Sequence, residues 1–303
     1  MQFGAGRRKG HTAHPEGAAM DIDTVIMVDW SARSAPSPAK RTKDAIYVAE
    51  RTASAGHVTY CRTRAAAQAH LMARLEAARA EGRRVLAGFD FPLAYPKGFA
   101  QALTGSADPF AVWDWMAGTI KDDPKNANNR LDVADLINAR FDAPGPFWSH
   151  PVGKTPAHVP FRKPPHRGFA FAERRRVEQM APGASTCFQL YGNGAVASQT
   201  LLGLPRLWAL RQHFGDALAV RPFEDRDAPI LLAEVYPAIL SAEIRRRQRP
   251  GEVPDAAQVR VLASAFAALP PRHLDAILRE GCPEEGWIAG LGHQAALIAA
   301  LEA

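Results

Sequence analysis

The 303-residue sequence has few cysteines and no long hydrophobic run. Its three cysteines, Cys61, Cys187 and Cys282, lie far apart, which excludes a disulfide scaffold and any CxxC zinc or redox motif. We therefore expect a reducing compartment such as the cytoplasm. No apolar run approaches the ~18 residues that a membrane span needs. With 47% hydrophobic and 22% charged residues, the composition predicts an ordinary soluble, globular protein.

Several catalytic motifs are also missing. The ten histidines show no HExxH or paired spacing, so we predict no zinc site. Ser31 and Ser198 do not occur in a GxSxG motif, which argues against a serine hydrolase. The turn at 191–198 lacks the Gly-Lys-Ser/Thr ending of a P-loop. Its amides, around Gly192, Gly194 and Ser198, could still bind a phosphate at the start of the next helix; the alternative is a tight turn before a packed helix.

Positive charge is unevenly distributed along the chain, whose formal net charge is +6. Residues 154–180 contain seven basic and two acidic residues, and residues 241–250 contain four arginines and one glutamate. Such segments suggest an anionic partner, either nucleic acid or a nucleotide-like phosphate ester. Arg167, Arg174 and Arg175 are the candidates for binding substrate phosphate. The alternative is a solvated arginine-rich face, which residues 245–247 fit better than 154–180 does.

The first twenty residues differ from the rest. They are polar and basic, without an apolar segment, so we predict a flexible tail that is not a secretory signal. Met20 is an alternative start, because the first apolar run begins just after it. We predict that residues 21–303 form one domain.

The hydrophobic pattern predicts an α/β fold with one mixed sheet flanked by helices. An Ala-rich helix at 64–81 separates the third predicted strand from the fourth, and Gly82 ends it. Residues 91–185, rich in Pro, Trp and Phe, are interpreted as a largely helical insertion. Strands are predicted at 24–29, 45–49, 57–61, 85–90, 218–223 and 230–236, and helices near 108–120, 131–140, 169–180, 196–214 (kinked or split at Pro205) and 254–269.

Carboxylates occur at the ends of the apolar strands. Asp29 follows VIMV, Asp90 follows VLAGF, Glu234 lies within LLAEVY, and Asp255 lies in the first turn of a helix. A carboxylate in an apolar strand is costly unless it is paired or binds a cation. At the carboxyl ends of neighbouring strands these residues would meet at one edge. Such a cluster suits Mg²⁺ or Mn²⁺, and two such metals can hydrolyse a phosphodiester.

Each carboxylate also has a structural explanation. Asp29 could cap the following loop, and Asp90 could bond the turn at 91–92. Glu234 could pair with an arginine of 154–180, and Asp255 could be an ordinary acid at a helix N-terminus. Taken together, their placement favours a single site.

Four motifs resemble those of an uncharacterised bacterial family described as predicted nucleases of ribonuclease H-like fold. They are VDWSA at 28–32, GFDFPLAYP at 88–96, AEVYPAIL at 233–240 and PDAAQVRVLASAFAAL at 254–269. The resemblance places the acidic positions of that family on Asp29, Asp90, Glu234 and Asp255. Similar proteins are sometimes labelled as molybdopterin or cobalamin biosynthesis proteins, but no residue here supports those labels chemically. Trp30 after the first Asp and the long insertion at 91–185 depart from nucleases of this fold and leave room for a smaller nucleotide substrate.

The resemblance implies a metal-dependent phosphodiester hydrolase. In this interpretation Asp29, Asp90 and Asp255 hold Mg²⁺ or Mn²⁺, and Glu234 is a further ligand or the general base. Two alternatives stay open. One is a phosphotransferase like actin and the sugar kinases, although WSARS replaces the DxGxT-type phosphate turn. The other is a non-catalytic nucleotide-binding or regulatory module that retains the acidic residues.

Overall fold

The computed structural model describes residues 21–302. The tail predicted at 1–20 and the suggested start at Met20 lie outside the described residues. Within 21–302, no helix is both long enough and apolar enough to cross a membrane.

Six strands form one mixed sheet in the order β3-β2-β1-β4-β6-β5. The first three strands are antiparallel to one another, whereas β4 is parallel to β1 and to β6, and β5 is parallel to β6. This topology is ribonuclease H-like and confirms the predicted fold class. The strands are β1 Thr24–Asp29, β2 Ile46–Thr52, β3 Gly56–Cys61, β4 Val85–Phe89, β5 Leu218–Val220 and β6 Ile230–Glu234.

The sheet lies between two layers of helices, because its buried strands are apolar on both faces. One layer includes α1 (Arg64–Ala80), α3 and the long α6; the other is built from α8, α9 and α10. The bounds of the remaining helices are α2 Phe99–Thr104, α3 Pro109–Thr119, α4 Arg130–Asn138, α5 Arg176–Met180, α6 Ala197–Phe214, α7 Ser241–Arg247, α8 Pro254–Ala267, α9 Pro271–Arg279 and α10 Gln294–Ala300.

Alternation along the strands decides which layer each side chain enters. In β1, Ile26 and Val28 face the α1 layer, whereas Val25 and Met27 face α8. The central strand β4 has the same arrangement, with Ala87 and Phe89 on the α1 side. The register of the sheet therefore determines which helix layer is faced by the residues at the carboxyl ends of β1 and β4.

The insertion between β4 and α6 differs in detail from its prediction. Its four named helices are α2 to α5, and residues 139–175 follow irregular loops. The helix predicted at 169–180 begins only at Arg176, so that prediction is wrong for 169–175. There the side chain of Phe171 packs against Phe99 and Phe188, with ring centroids 5.3 and 5.9 Å apart. This aromatic packing fixes the segment in a loop.

Two further elements differ from expectation. Helix α6 is a single helix although Pro205 lies in its interior, because its apolar face, including Leu201, Leu204 and Leu207, is fully buried. Strand β5 ends at Val220, three residues before the predicted end, where the chain turns at 221–223.

Candidate functional site

Asp29 and Asp90 meet at the carboxyl ends of two neighbouring parallel strands. Val28 pairs with Phe89 in the register of β1 and β4, so the next residue of each strand is a carboxylate in the same row. Since Val28 and Phe89 face the α1 layer, alternation directs Asp29 and Asp90 toward α8. The first turn of α8 carries Asp255, the third predicted carboxylate.

The carboxyl groups of Asp29 and Asp90 are close neighbours, and each affects the pKa of the other. Burial, followed by the charges of Asp90 and Asp255, raises the pKa of Asp29 well above its usual value. Burial also raises the pKa of Asp90 to about 7, although hydrogen bonds from the Trp30 amide and from Asp29 oppose the rise. Two carboxylates this close oppose each other's ionisation, so the pair holds a proton more tightly than an isolated aspartate does.

Asp255 contributes a third negative charge. Burial raises its pKa, and its Oδ2 accepts a 2.7 Å hydrogen bond from the backbone amide of Asp44. The carboxylate of Asp44 itself is exposed and raises the pKa of both Asp29 and Asp255. We call Asp29, Asp44, Asp90 and Asp255 the carboxylate cluster. Sequence reasoning missed Asp44 because it lies in the loop before β2, away from any strand end.

The carboxylate cluster suits a hard cation in its donor type. Oxygens are the ligands that Mg²⁺ and Mn²⁺ prefer, and a cation would replace the proton that Asp29 and Asp90 share. Hydrogen bonds from backbone amides already engage Oδ1 of Asp90 and Oδ2 of Asp255. Within residues 21–302, however, no group of three or more His, Cys, Asp and Glu side chains is placed as a ready metal-ligand set. The side chains would have to close around a cation.

Glu234 belongs to the opposite side of the sheet. It pairs in register with Phe89, one residue before Asp90, so alternation directs its side chain toward the α1 and α6 layer. Val235 lies on the α8 side instead. Glu234 therefore does not join the carboxylate cluster, because a shift of one residue along a strand moves a side chain to the other face. Glu234 nevertheless lines one cavity together with Asp90, and its predicted role as a ligand stays a prediction.

Arg175 occupies both oxygens of Glu234. Its Nη1 and Nη2 donate to Oε2 and Oε1 at 2.7 and 2.6 Å, and its Nε donates to Glu178 Oε1 at 2.8 Å. All three side chains are buried. Burial alone would lower the pKa of Arg175, but the two glutamates raise it well above its usual value. Arg175 therefore keeps its charge, and the structure contains the ion pair that was the alternative explanation for Glu234.

The other predicted phosphate-binding residues are dispersed. The guanidinium of Arg175 is hydrogen-bonded to Glu178 and Glu234. Arg167 is exposed in a loop, and Arg174 Nη1 donates to the Ala184 carbonyl at 2.7 Å. Ser198 is buried; its hydroxyl donates to the Leu190 carbonyl at 2.8 Å and accepts from Arg130 Nε at 3.0 Å. Arg175 and Ser198 are therefore engaged in internal contacts, whereas phosphate binding by Arg167 and Arg174 stays a prediction.

A cavity of about 220 Å³ lies beyond the ends of β4 and β6. Asp90 and Tyr236 line it, together with Gly194 and Gln199 at the start of α6. The turn residues Gly192 and Gly194 have positive φ angles of 103° and 73°. Only Gly194 lines this cavity, so the glycine turn and Asp90 border the same space. The cavity could admit a phosphate-sized group beside the carboxylate cluster.

Comparisons with known proteins returned nothing: no family model matches the chain, and neither the curated proteins nor the solved structures contain a match.

Proposed function

We propose that the protein is a metal-dependent phosphodiester hydrolase whose carboxylate cluster binds Mg²⁺ or Mn²⁺. The single observation that carries the proposal is the placement of Asp29 and Asp90 side by side at the ends of adjacent parallel strands. The ribonuclease H-like topology and the nearby Asp255 support it. A nucleic acid or nucleotide-like phosphate ester is the proposed substrate.

The carboxylates would perform distinct tasks. Asp29 would release its proton when a cation binds, and Asp90 is held in place by the Trp30 amide, 2.7 Å from its Oδ1. Asp255 is oriented by the Asp44 amide. A bound divalent cation would supply a nucleophilic water at neutral pH and stabilise the leaving oxygen.

The Arg175–Glu234 pair is a positioning element in this proposal. Besides Arg175, Glu234 Oε2 accepts the Leu93 amide at 3.1 Å, which fixes the segment directly after Asp90. The Trp113 indole donates to the Leu93 carbonyl at 2.7 Å, so the same segment is also held from the insertion. The pair thus acts on the cluster through the chain at 90–93.

The test is Mn²⁺ binding by calorimetry together with hydrolysis of bis(p-nitrophenyl) phosphate. We expect hydrolysis with Mn²⁺, none with EDTA, and loss of both binding and hydrolysis in Asp29→Asn. The matched control is Asp114→Asn, which removes an exposed carboxylate on α3. Absence of Mn²⁺ binding in the folded wild type would reject the proposal in favour of a non-catalytic module. Transfer of phosphate from ATP to an acceptor, without diester hydrolysis, would select the phosphotransferase alternative.

A further inference from the structure

A second, larger cavity of about 510 Å³ lies between α8 and the β2–β3 hairpin. Five of its lining residues are cationic: Lys40, Arg41, Arg51, Arg249 and Arg260. We call this cavity the basic groove. No proposed role of the carboxylate cluster accounts for it, and most of its charge lies outside the two basic segments found in the sequence.

Most of the positive charge in the basic groove is not neutralised. Arg260 is paired with Glu252 through two hydrogen bonds of 2.7 Å. Glu50, which also lines the groove, accepts hydrogen bonds of 2.7 and 2.6 Å from Arg74 of α1. Within residues 21–302, the side chains of the other four cations, Lys40, Arg41, Arg51 and Arg249, form no hydrogen bond or ion pair. Four unpaired cations around one cavity create a positive potential that favours an anionic ligand of several charges.

The basic groove runs away from the carboxylate cluster. Tyr47 of β2 pairs in register with Asp29, and Ala49 and Arg51 follow on the same face of the strand. At about 3.3 Å per residue, Arg51 lies roughly 13 Å along β2 from the position opposite Asp29. At the near end, Lys40 and Arg41 belong to the loop that carries Asp44.

The side chain of Arg51 has room to lie along the floor of the groove. It pairs in register with Gly56 of β3, where a Cβ atom would come 3.2 Å from Arg51 Cδ and 3.3 Å from its Nη1. The absence of a side chain at Gly56 therefore lets the guanidinium cross the hairpin.

We propose that the basic groove binds a single strand of nucleic acid through its phosphates and directs it to the carboxylate cluster. Each nucleotide contributes one phosphate charge, so four unpaired cations can neutralise about four phosphates of one strand. Delivery to the cluster rests on the function proposed above, whereas strand binding does not.

The residues that line the basic groove predict recognition of the nucleic-acid backbone and not of the bases. Among the described residues lining the groove there is no Phe, Trp or Tyr, so bases have no aromatic surface on which to stack. Affinity should therefore depend strongly on salt and little on sequence.

The experiment measures fluorescence anisotropy of labelled oligothymidylates of two to twelve nucleotides, with the full chain in EDTA to prevent hydrolysis. We expect affinity to rise with length up to about five nucleotides, which carry four phosphates, and then to level off. For a single strand, four neutralised phosphates predict a slope of log K against log salt of about −2.8. An oligoadenylate of equal length should bind within about threefold of the oligothymidylate.

The matched variants are Arg51→Gln/Arg249→Gln in the groove and Arg79→Gln/Arg272→Gln, two exposed arginines on α1 and α9. The groove variant should reduce the slope to about −1.4 and weaken binding roughly 25-fold at 0.1 M salt, if affinity extrapolated to 1 M salt is unchanged. The control should bind like wild type. Circular dichroism establishes that both variants are folded, and the wild-type slope tests the proposal without them.

Three results would overturn the proposal: a wild-type slope near zero, equal weakening in both variants, or tighter binding of a duplex than of the single strand. Oligomers that bind no better than pyrophosphate or ATP would also overturn it in favour of a small anion. Strand binding without Mn²⁺-dependent cleavage would retain the groove and reject the hydrolase. If a groove variant cleaves the diester and binds the oligomers as wild type does, the hydrolase is retained and the groove is rejected.

Discussion

The backbone amide of Trp30 donates a 2.7 Å hydrogen bond to Oδ1 of Asp90, so the residue after the first acid orients the second. The indole of Trp30 packs away from the cluster, against Phe91, with ring centroids 6.0 Å apart. Trp30 thus supports the acidic pair through its backbone, and its bulk lies on the face opposite α8.

Asp29→Asn should stabilise the metal-free protein while abolishing its response to Mn²⁺. The substitution removes a buried carboxyl group whose ionisation Asp90 and Asp255 oppose. We expect a higher melting temperature in EDTA and no thermal shift on adding Mn²⁺, both measured by differential scanning calorimetry. Asp114→Asn should change neither. A variant that melts below the wild type in EDTA would show that Asp29 contributes more as a structural hydrogen-bond partner than it costs.

The metal-free protein should lose stability as pH rises from about 5 to 8. The folded chain holds protons on Asp29 and Asp90 more tightly than the unfolded chain, in which Asp titrates near 3.9. The stabilisation is therefore complete below that value and is lost as pH rises through the folded pKa, about 7 for Asp90. Urea unfolding in EDTA at pH 5 and pH 8 measures the loss.

The control for this pH effect is Asp29→Asn/Asp90→Asn, which should flatten the dependence. Burial lowers the pKa of His70, which acts in the opposite direction over the same range, so the difference between the two proteins isolates the aspartate pair. Equal pH profiles for wild type and double variant would contradict the shared proton.

Arg175→Met should lower the free energy of unfolding by about 3–5 kcal/mol, because it leaves two buried glutamates without a counter-charge. Arg246→Met is the matched control, since its pair with Glu243 lies at the surface, where solvent screens the charges and the pair contributes little. Urea titration at pH 7 measures both. Adding Glu234→Gln to Arg175→Met should restore part of the loss. A loss below about 1 kcal/mol would mean that water reaches the buried glutamates.

Gly203→Ala should destabilise the protein and impair diester hydrolysis. A Cβ at this position of α6 would lie 2.3 to 2.8 Å from ring atoms of Phe91, the residue after Asp90. Overpacking of this kind costs about 1–3 kcal/mol, more than an alanine gains in helix propensity. Gly118→Ala in α3, which meets nothing within 4 Å, should be neutral or stabilising by up to ~1 kcal/mol. Calorimetric melting of the two variants compares them directly, and equal melting temperatures would contradict the packing argument.

The fold could be predicted from the sequence because its strands are continuous apolar runs. The runs at 24–29 and 85–90 became β1 and β4 with almost no change of boundary. The predicted helix at 169–180 was less accurate, since aromatic contacts with residues distant in the chain hold its first half in a loop.

The candidate site was predictable only in part. Asp29 and Asp90 follow directly from strand ends, but the face taken by Glu234 depends on the register between β4 and β6, which no single strand reveals. Counting alternation back from Val235 could have separated Glu234 from the aspartates once that register was assumed. Asp44 gave no signal, because a loop acid acquires its role only when the chain returns beside α8.

The hydrogen bond between Asp44 and Asp255 joins residues 211 positions apart. During synthesis, β1 to β4 emerge and can pair long before α8 exists, so Asp29 and Asp90 meet without their third acid. Closing so long a loop adds only a slowly growing entropic cost, about (3/2)RT ln n. The acidic edge is therefore complete only after the last helices have been synthesised. A ribosome-stalled chain that ends before α8 would contain Asp29 and Asp90 but would lack Asp255.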